Sequence, residues 1–180
     1  MKAFVFLADG FEEIEAITPI DILRRADIEV TTISISNNKE VRGAHGIIVI
    51  ADYLFTQADF SNNDLIVLPG GMPGTKNLEA HEGLKKLIQL QISKGKKLAA
   101  ICAAPSILGK MGILEGKEAI CYPGYENQLF GTTLSDEKVV KSGLITTAKG
   151  AGVAIGFALK LVENMKGKET AEQVASSICY

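Results

Sequence analysis

The sequence predicts a single α/β domain spanning residues 1–180, with one doubly wound, mostly parallel sheet and helices on both faces. Three observations predict it. Short apolar runs alternate with helix-spaced segments along the whole chain. Leu65-Ile66-Val67-Leu68 is apolar without a break, as a strand covered on both faces is. No low-complexity linker divides the 180 residues, a length at which one core buries roughly 70% of the unfolded surface.

Lys2 to Leu7 reads as a short buried strand and Gly10 as the turn after it. Ile14, Ile17, Ile20, Ile22 and Leu23 then carry the spacing of a helix running to Arg25. Glu29 to Ile35 is rich in β-branched residues. After the polar turn Ser36-Asn37-Asn38-Lys39, a second extended stretch covers Ile47 to Ile50. Pro69-Gly70-Gly71 ends the central strand 65–68. Leu84, Leu87, Ile88 and Leu90 mark a helix, Lys97 to Ile101 the next buried strand, and Pro105 to Met111 a helix with proline in its first turn. Strand signals at Val139-Val140 and Leu144 to Thr147, then helices from about Val153 to Met165 and Lys168 to Ser177, complete the alternation.

The charge pattern limits the partners. With 19 basic and 21 acidic residues interspersed and a net charge of -2, the chain has no basic stripe for nucleic acid and no polybasic patch for a membrane. No apolar run reaches the roughly 18 residues of a membrane span. Cys102, Cys121 and Cys179 are an odd number, and the first residues lack the pattern of a secretory leader. Together these point to a reducing, cytoplasmic setting.

In a parallel α/β sheet, reactive groups collect at the carboxyl ends of the strands. Cys102 falls there, between the strand ending at Ile101 and the helix opening at Pro105. Small neighbours permit a tight elbow, and the free N–H groups of a helix start favour a thiolate. A cysteine in an apolar stretch is more often structural. The Gly70-Gly71 turn at the same sheet edge favours a nucleophile, because glycine lets backbone N–H groups approach a substrate oxygen closely. Gly71 and Ala103 N–H are the expected oxyanion donors.

The only histidines, His45 and His81, lie away from the carboxyl ends of the strands, so a Cys-His pair is not expected. Glu15 falls among the apolar helix positions Ile14, Ile17 and Ile20 and is expected to point inward. Desolvation would hold its proton there, and the acid would donate to the sulfur, lower the Cys102 pKa and shuttle a proton. Glu12 and Glu13 read as solvated acids suited to a helix N-terminus. Cys121 is a candidate second thiol, and Cys179, next to last, reads as mobile. No zinc-ligand spacing, Gly-x-x-x-x-Gly-Lys-Ser/Thr or Gly-x-Gly-x-x-Gly motif is present, so no metal or cofactor is expected.

The segments Ala8-Asp9-Gly10-Phe11-Glu12-Glu13-Ile14-Glu15, Leu68-Pro69-Gly70-Gly71-Met72-Pro73-Gly74 and Ala99-Ala100-Ile101-Cys102-Ala103-Ala104-Pro105, with Thr147-Ala148-Lys149-Gly150, resemble the ThiJ/PfpI superfamily end to end. The branch is that of the Parkinson-disease-associated protein deglycase. The resemblance implies a flavodoxin-like fold, Cys102 as oxidisable nucleophile, Glu15 as its protonated partner, and Gly71 with Ala103 as backbone donors. It also implies a homodimer in which the region near Arg25 lies close to the partner's site, and in which His45 occupies a loop that reaches the neighbouring subunit in some relatives. Two departures weaken a peptidase reading. Tyr122 stands before Pro123 where relatives carry a histidine, and Ala103 follows the cysteine where the peptidase branch has a histidine.

The expected function is a cofactor-free glyoxalase or deglycase acting on a small carbonyl compound such as methylglyoxal, or on its adduct with an amine or thiol. The alternative is a redox sensor or stress-response chaperone in which Cys102 oxidises to a sulfinic acid. Thiazole-phosphate metabolism lacks a phosphate loop here, and a peptidase lacks its histidine, so both rank below these.

Overall fold

Alternate residues of the first strand face opposite sides of a sheet, and both sides are apolar. That pattern buries Lys2–Leu7 (β1) at the centre. In the computed structural model, which describes residues 1–180, α1 (Glu13–Arg25), β2 (Glu29–Ser34), β3 (Glu40–Arg42), β4 (Ile48–Ile50) and β5 (Tyr53–Leu54) follow. Next come β6 (Leu65–Leu68), α2 (Gly74–Ala80), α3 (Glu82–Ser93), β7 (Lys97–Ile101), α4 (Pro105–Lys110), β8 (Glu118–Ala119) and β9 (Thr133–Leu134). β10 (Val139–Ser142), β11 (Ile145–Ala148), α5 (Ala154–Lys166) and α6 (Lys168–Ser177) end the chain.

Seven strands form the main sheet in the order β10-β11-β7-β6-β1-β2-β5. Every neighbouring pair is parallel except β10 with β11, which is a hairpin. From β1 the chain goes outward to β2 and β5 on one side and returns to β6 on the other. The order therefore reverses between β1 and β6, and a crevice opens at their carboxyl ends. One core cluster packs Ala3, Val5 and Leu7 of β1 with Phe157, Leu161 and Val162 of α5. The other packs Phe4 and Phe6 of β1 with Leu84 and Ile88 of α3 and Leu108 of α4. The alternation along β1 thus divides the two layers. No helix is long and apolar enough to cross a membrane.

The stretch at Ile47–Ile50 is extended as expected but lies outside the main sheet: β4 pairs with β3 in a separate two-stranded hairpin, and the short β5 takes the sheet edge. Two expectations need correction. The apolar spacing assigned to α1 holds at Ile20, Ile22 and Leu23, which are buried, but fails in the first turns. Ile14 and Ile17 are 53% and 41% exposed, while Glu13, Glu15, Ala16, Pro19, Ile20 and Leu23 are buried. Finally, Glu13 is not a solvated acid, because it lies in the inward row with Ala16 and Ile20.

Candidate active site

β7 delivers Cys102 to the crevice in a conformation that side chains rarely adopt, with φ at +64°. Holding a non-glycine residue there costs on the order of 1–3 kcal/mol, which its surroundings must offset. Both backbone groups of Cys102 are clamped. Its N–H donates to the Ala148 carbonyl at the end of β11 (2.9 Å), and its carbonyl accepts from Tyr122 N–H (2.7 Å). Ala103 and Ala104 leave room for the elbow, and Pro105 opens α4.

Glu15, in the first turn of α1, meets the cysteine from the β1 side and is 1% exposed. Gly70 N–H donates to its Oε2 at 2.9 Å. Its carboxyl also hydrogen-bonds the Cys102 thiol and accepts from the Ala151 backbone. Gly70 is required by this contact: a Cβ there would lie 2.6 Å from Glu15 Oε2 and 2.7 Å from Cys102 Cβ. Gly71, at φ +90°, turns its N–H toward the Cys102 sulfur, as Ala103 does. The structure therefore brings together Cys102, Glu15, Gly70, Gly71 and Ala103.

Burial raises the Glu15 carboxyl to about 7 against the pull of its hydrogen bonds from Cys102, Gly70 and Ala151, and the charge of Glu12 adds to the rise. Burial first, and then the charge and hydrogen bond of Glu15, push the Cys102 thiol up to about 12. The Ala103 and Gly71 N–H groups act in the opposite direction. An ionised Glu15 opposes a thiolate, because the two groups cannot share one buried space as two anions, whereas the protonated acid, favoured by its raised pKa, is the form that can donate to the sulfur.

The pair opens into a cavity of about 380 Å³ walled also by Glu12, Met72, Tyr122, Tyr125 and Ala151. Glu12, set aside by the sequence reading, faces this cavity. Tyr122, the residue in the histidine's place, lines it too, its ring packed on Gly150. Tyr125 was missed; its signal was an aromatic in the loop Tyr122-Pro123-Gly124-Tyr125 that follows a strand.

The other candidates lie outside the cavity. Glu13 accepts from His45 N–H (2.7 Å), faces His45 Nδ1 (2.9 Å) and accepts weakly from Ile47 N–H (3.4 Å). Burial works to raise its pKa, but these bonds outweigh it and hold the carboxyl below its ordinary range. The hydrogen bond to Glu13, followed by the charges of Glu12 and Glu13, raises His45. Glu12, Glu13 and His45 bring one ligand atom each within 4.8 Å of one another, yet Glu13 and His45 already satisfy each other without an ion. Arg25 sits at the far end of α1, about 15 Å along the axis from Glu15, and pairs with Asp21 (2.7 Å). Within the chain it does not reach the site. Cys121 is buried in the core beneath the opposite face, its thiol pushed up to about 11 by burial and by Glu126. Cys179 is exposed. His81 caps α3 by accepting from Leu84 N–H at 3.0 Å.

Fold and site together define a flavodoxin-like α/β protein with an elbow cysteine paired to a buried carboxyl group. The chain belongs to the DJ-1/PfpI family, whose sequence model matches residues 1–164. It is 37% identical over 179 residues to Protein dj-1beta of Drosophila melanogaster, covering 98% of this chain and 96% of that one. To the protein named glutathione-independent glyoxalase DJR-1.2 of Caenorhabditis elegans it is 31% identical, covering 93% and 90%. The chain spans only 41% and 44% of Protein DJ-1 homologs B and A of Arabidopsis thaliana, at 39% and 40% identity. Among solved structures it is similar to "Toxoplasma gondii DJ-1, oxidized", with a TM-score of 0.96, 37% identity and coverage of 99% and 98%.

Proposed function

We propose that the protein is a cofactor-independent glyoxalase or deglycase acting on 2-oxoaldehydes such as methylglyoxal, or on their adducts with amines and thiols. The observation that carries this reading is the Cys102–Glu15 pair with two backbone N–H groups aimed at the sulfur, in a cavity sized for a small molecule. A family relative carrying the name glyoxalase supports it.

In this reading the thiol proton passes to Glu15 and the sulfur attacks the aldehyde carbon, forming a hemithioacetal. The Gly71 and Ala103 amides hold the developing oxyanion. Glu15 returns the thiol proton to that oxygen and, as carboxylate, moves a proton from the former aldehyde carbon to the neighbouring carbon while the hydroxyl proton passes to the ketone oxygen, giving a thioester of the 2-hydroxy acid. Water cleaves the thioester, releasing the acid and restoring the thiol. Methylglyoxal and one water thus become lactate. The test is lactate formation by purified protein and by a Cys102→Ala variant: turnover is expected to fall at least 100-fold, the scale of losing a covalent nucleophile. Equal rates would refute the reading.

A second reading, a redox sensor or stress-response chaperone, draws on the same two amides, which would also receive sulfinate oxygens with Glu15 donating to one. A similar solved structure described as oxidized favours it. Mild peroxide is expected to add two oxygens to the Cys102 peptide and spare Cys121 and Cys179. Uniform oxidation would refute this reading.

The proposal includes a homodimer in a cytoplasmic setting, where thiols stay reduced. α1 leaves Ile14 and Ile17 exposed, and Ile14 lines a surface hollow together with the exposed Ile155 of α5. Sedimentation is expected to give twice the 19.2 kDa of the chain, and Ile17→Glu to shift it toward monomer.

A further inference from the structure

The segment that carries the two tyrosines of the cavity belongs to no strand: β8 ends at Ala119, and residues 120–125 run on past the cysteine elbow. A buried N–H left unpaired costs about as much as a lost hydrogen bond, so those of such a segment need partners elsewhere. Ile120, which is buried, donates its N–H to the Thr147 hydroxyl at 3.0 Å. Two residues on, Tyr122 N–H donates to the Cys102 carbonyl at 2.7 Å, and Tyr125 N–H then closes a turn on the Tyr122 carbonyl at 3.1 Å. Thr147 lies in β11, next to Ala148, whose carbonyl accepts from Cys102 N–H at 2.9 Å. Successive side chains of a strand face opposite sides. Thr146 meets α5, where its hydroxyl accepts from Asn164 Nδ2 (3.1 Å), and Thr147 faces the other way, onto Ile120. Three segments thus tie one another: elbow to β11, loop to elbow, and loop to β11. Gly150, just beyond β11, completes the support by packing against the Tyr122 ring.

We propose that Thr147 is a positioning residue for the chemistry of Cys102. Its hydroxyl pins Ile120 to β11, and through Tyr122 N–H that pin holds the elbow at φ +64° and sets Tyr122 and Tyr125 against the cavity. The inference rests on Cys102 being the reacting group of the proposed function. Thr147 is 1% exposed and does not line the cavity, so it acts through the loop backbone. A valine would fill a buried strand position of this shape equally well. What valine lacks is the acceptor for Ile120.

The test compares Thr147→Val, which removes the hydroxyl and keeps the shape, with Thr147→Ser, which keeps the hydroxyl. Should Thr147→Val not fold, Thr147→Ala takes its place, because it differs from Thr147→Ser in the hydroxyl alone. Three quantities are read: amide exchange at 120–125, the pH profile of Cys102 alkylation by iodoacetamide, and kcat and KM for methylglyoxal. In Thr147→Val, exchange at Tyr122 is expected to speed on the order of tenfold, the scale of one hydrogen bond. The midpoint of the alkylation profile is expected to move, and kcat to fall on the order of tenfold with KM little changed, as misplacement of a reacting group predicts. Thr147→Ser is expected to match wild type within about twofold in all three. An exchange increase spread evenly over the chain would reduce Thr147 to general support of the fold and overturn the proposal. So would a wild-type alkylation profile in Thr147→Val, or a Thr147→Ser as impaired as Thr147→Val. Absence of methylglyoxal turnover in wild type, alongside Tyr122 exchange and a Cys102 profile that shift in Thr147→Val and recover in Thr147→Ser, would refute the enzymatic reading and leave this inference standing.

Discussion

At the scale of single residues, the site is a contest for one proton. Glu15 is raised to about 7 in the folded chain from an ordinary 4.5, so the native state keeps a proton that the unfolded chain has released. Between those values the native state binds more protons, and stability falls as pH rises. The span amounts to about 3 kcal/mol at most. Urea unfolding at pH 4.5 and 8 is therefore expected to show wild type losing stability relative to Glu15→Gln over that window, whereas parallel curves would place the proton elsewhere. The same substitution removes the carboxyl group that hydrogen-bonds the thiol, so Cys102 alkylation is expected to change its pH profile as well.

At the scale of elements, the link between α1 and the β3–β4 hairpin runs through Glu13, whose carboxylate holds the backbone of His45 and Ile47. His45 is raised chiefly by its hydrogen bond to Glu13, so the stabilisation it lends is complete at low pH and is lost as pH rises through its folded value. Glu13→Gln is expected to lower the His45 titration midpoint in NMR and to speed amide exchange at 45–47. An unmoved midpoint would show that the Glu12 and backbone fields suffice. β7, the elbow and α4 form the other decisive unit: the strand is buried on both faces, and Pro105 starts the helix where an N–H would have been unpaired anyway.

At the scale of the whole molecule, two apolar layers hold a sheet whose switch point is the site. Phe157 of α5 is fully buried against the layer that also supports α1 and hence Glu15. Phe157→Ala is expected to destabilise the fold by about 3–5 kcal/mol, measured by urea unfolding, and to loosen the Cys102–Glu15 contact. A loss below about 1 kcal/mol would mean that α5 collapses into the gap.

The fold class, the main helices and strands, and the elbow at Cys102 were legible in the sequence because each rests on local signals: apolar runs, periodicity, and small or helix-starting residues next to one another. Gly70, Gly71 and Ala103 were legible for the same reason, as turns at strand ends. The face of α1 was not, since Ile14 and Ile17 look as apolar as Ile20. The inward turn of Glu15 was expected, but only the packing of α1 on the sheet and on α5 turns Glu13 inward as well and leaves the two isoleucines outside. Glu12, Tyr122 and Tyr125 gather around one cavity by the same long-range order, and the direction of the Cys102 pKa shift depends on how much water that gathering excludes. Sequence by itself determined which groups could react; tertiary structure decided which of them meet, and with what charge, because burial and proximity are properties of contacts between segments far apart in the chain.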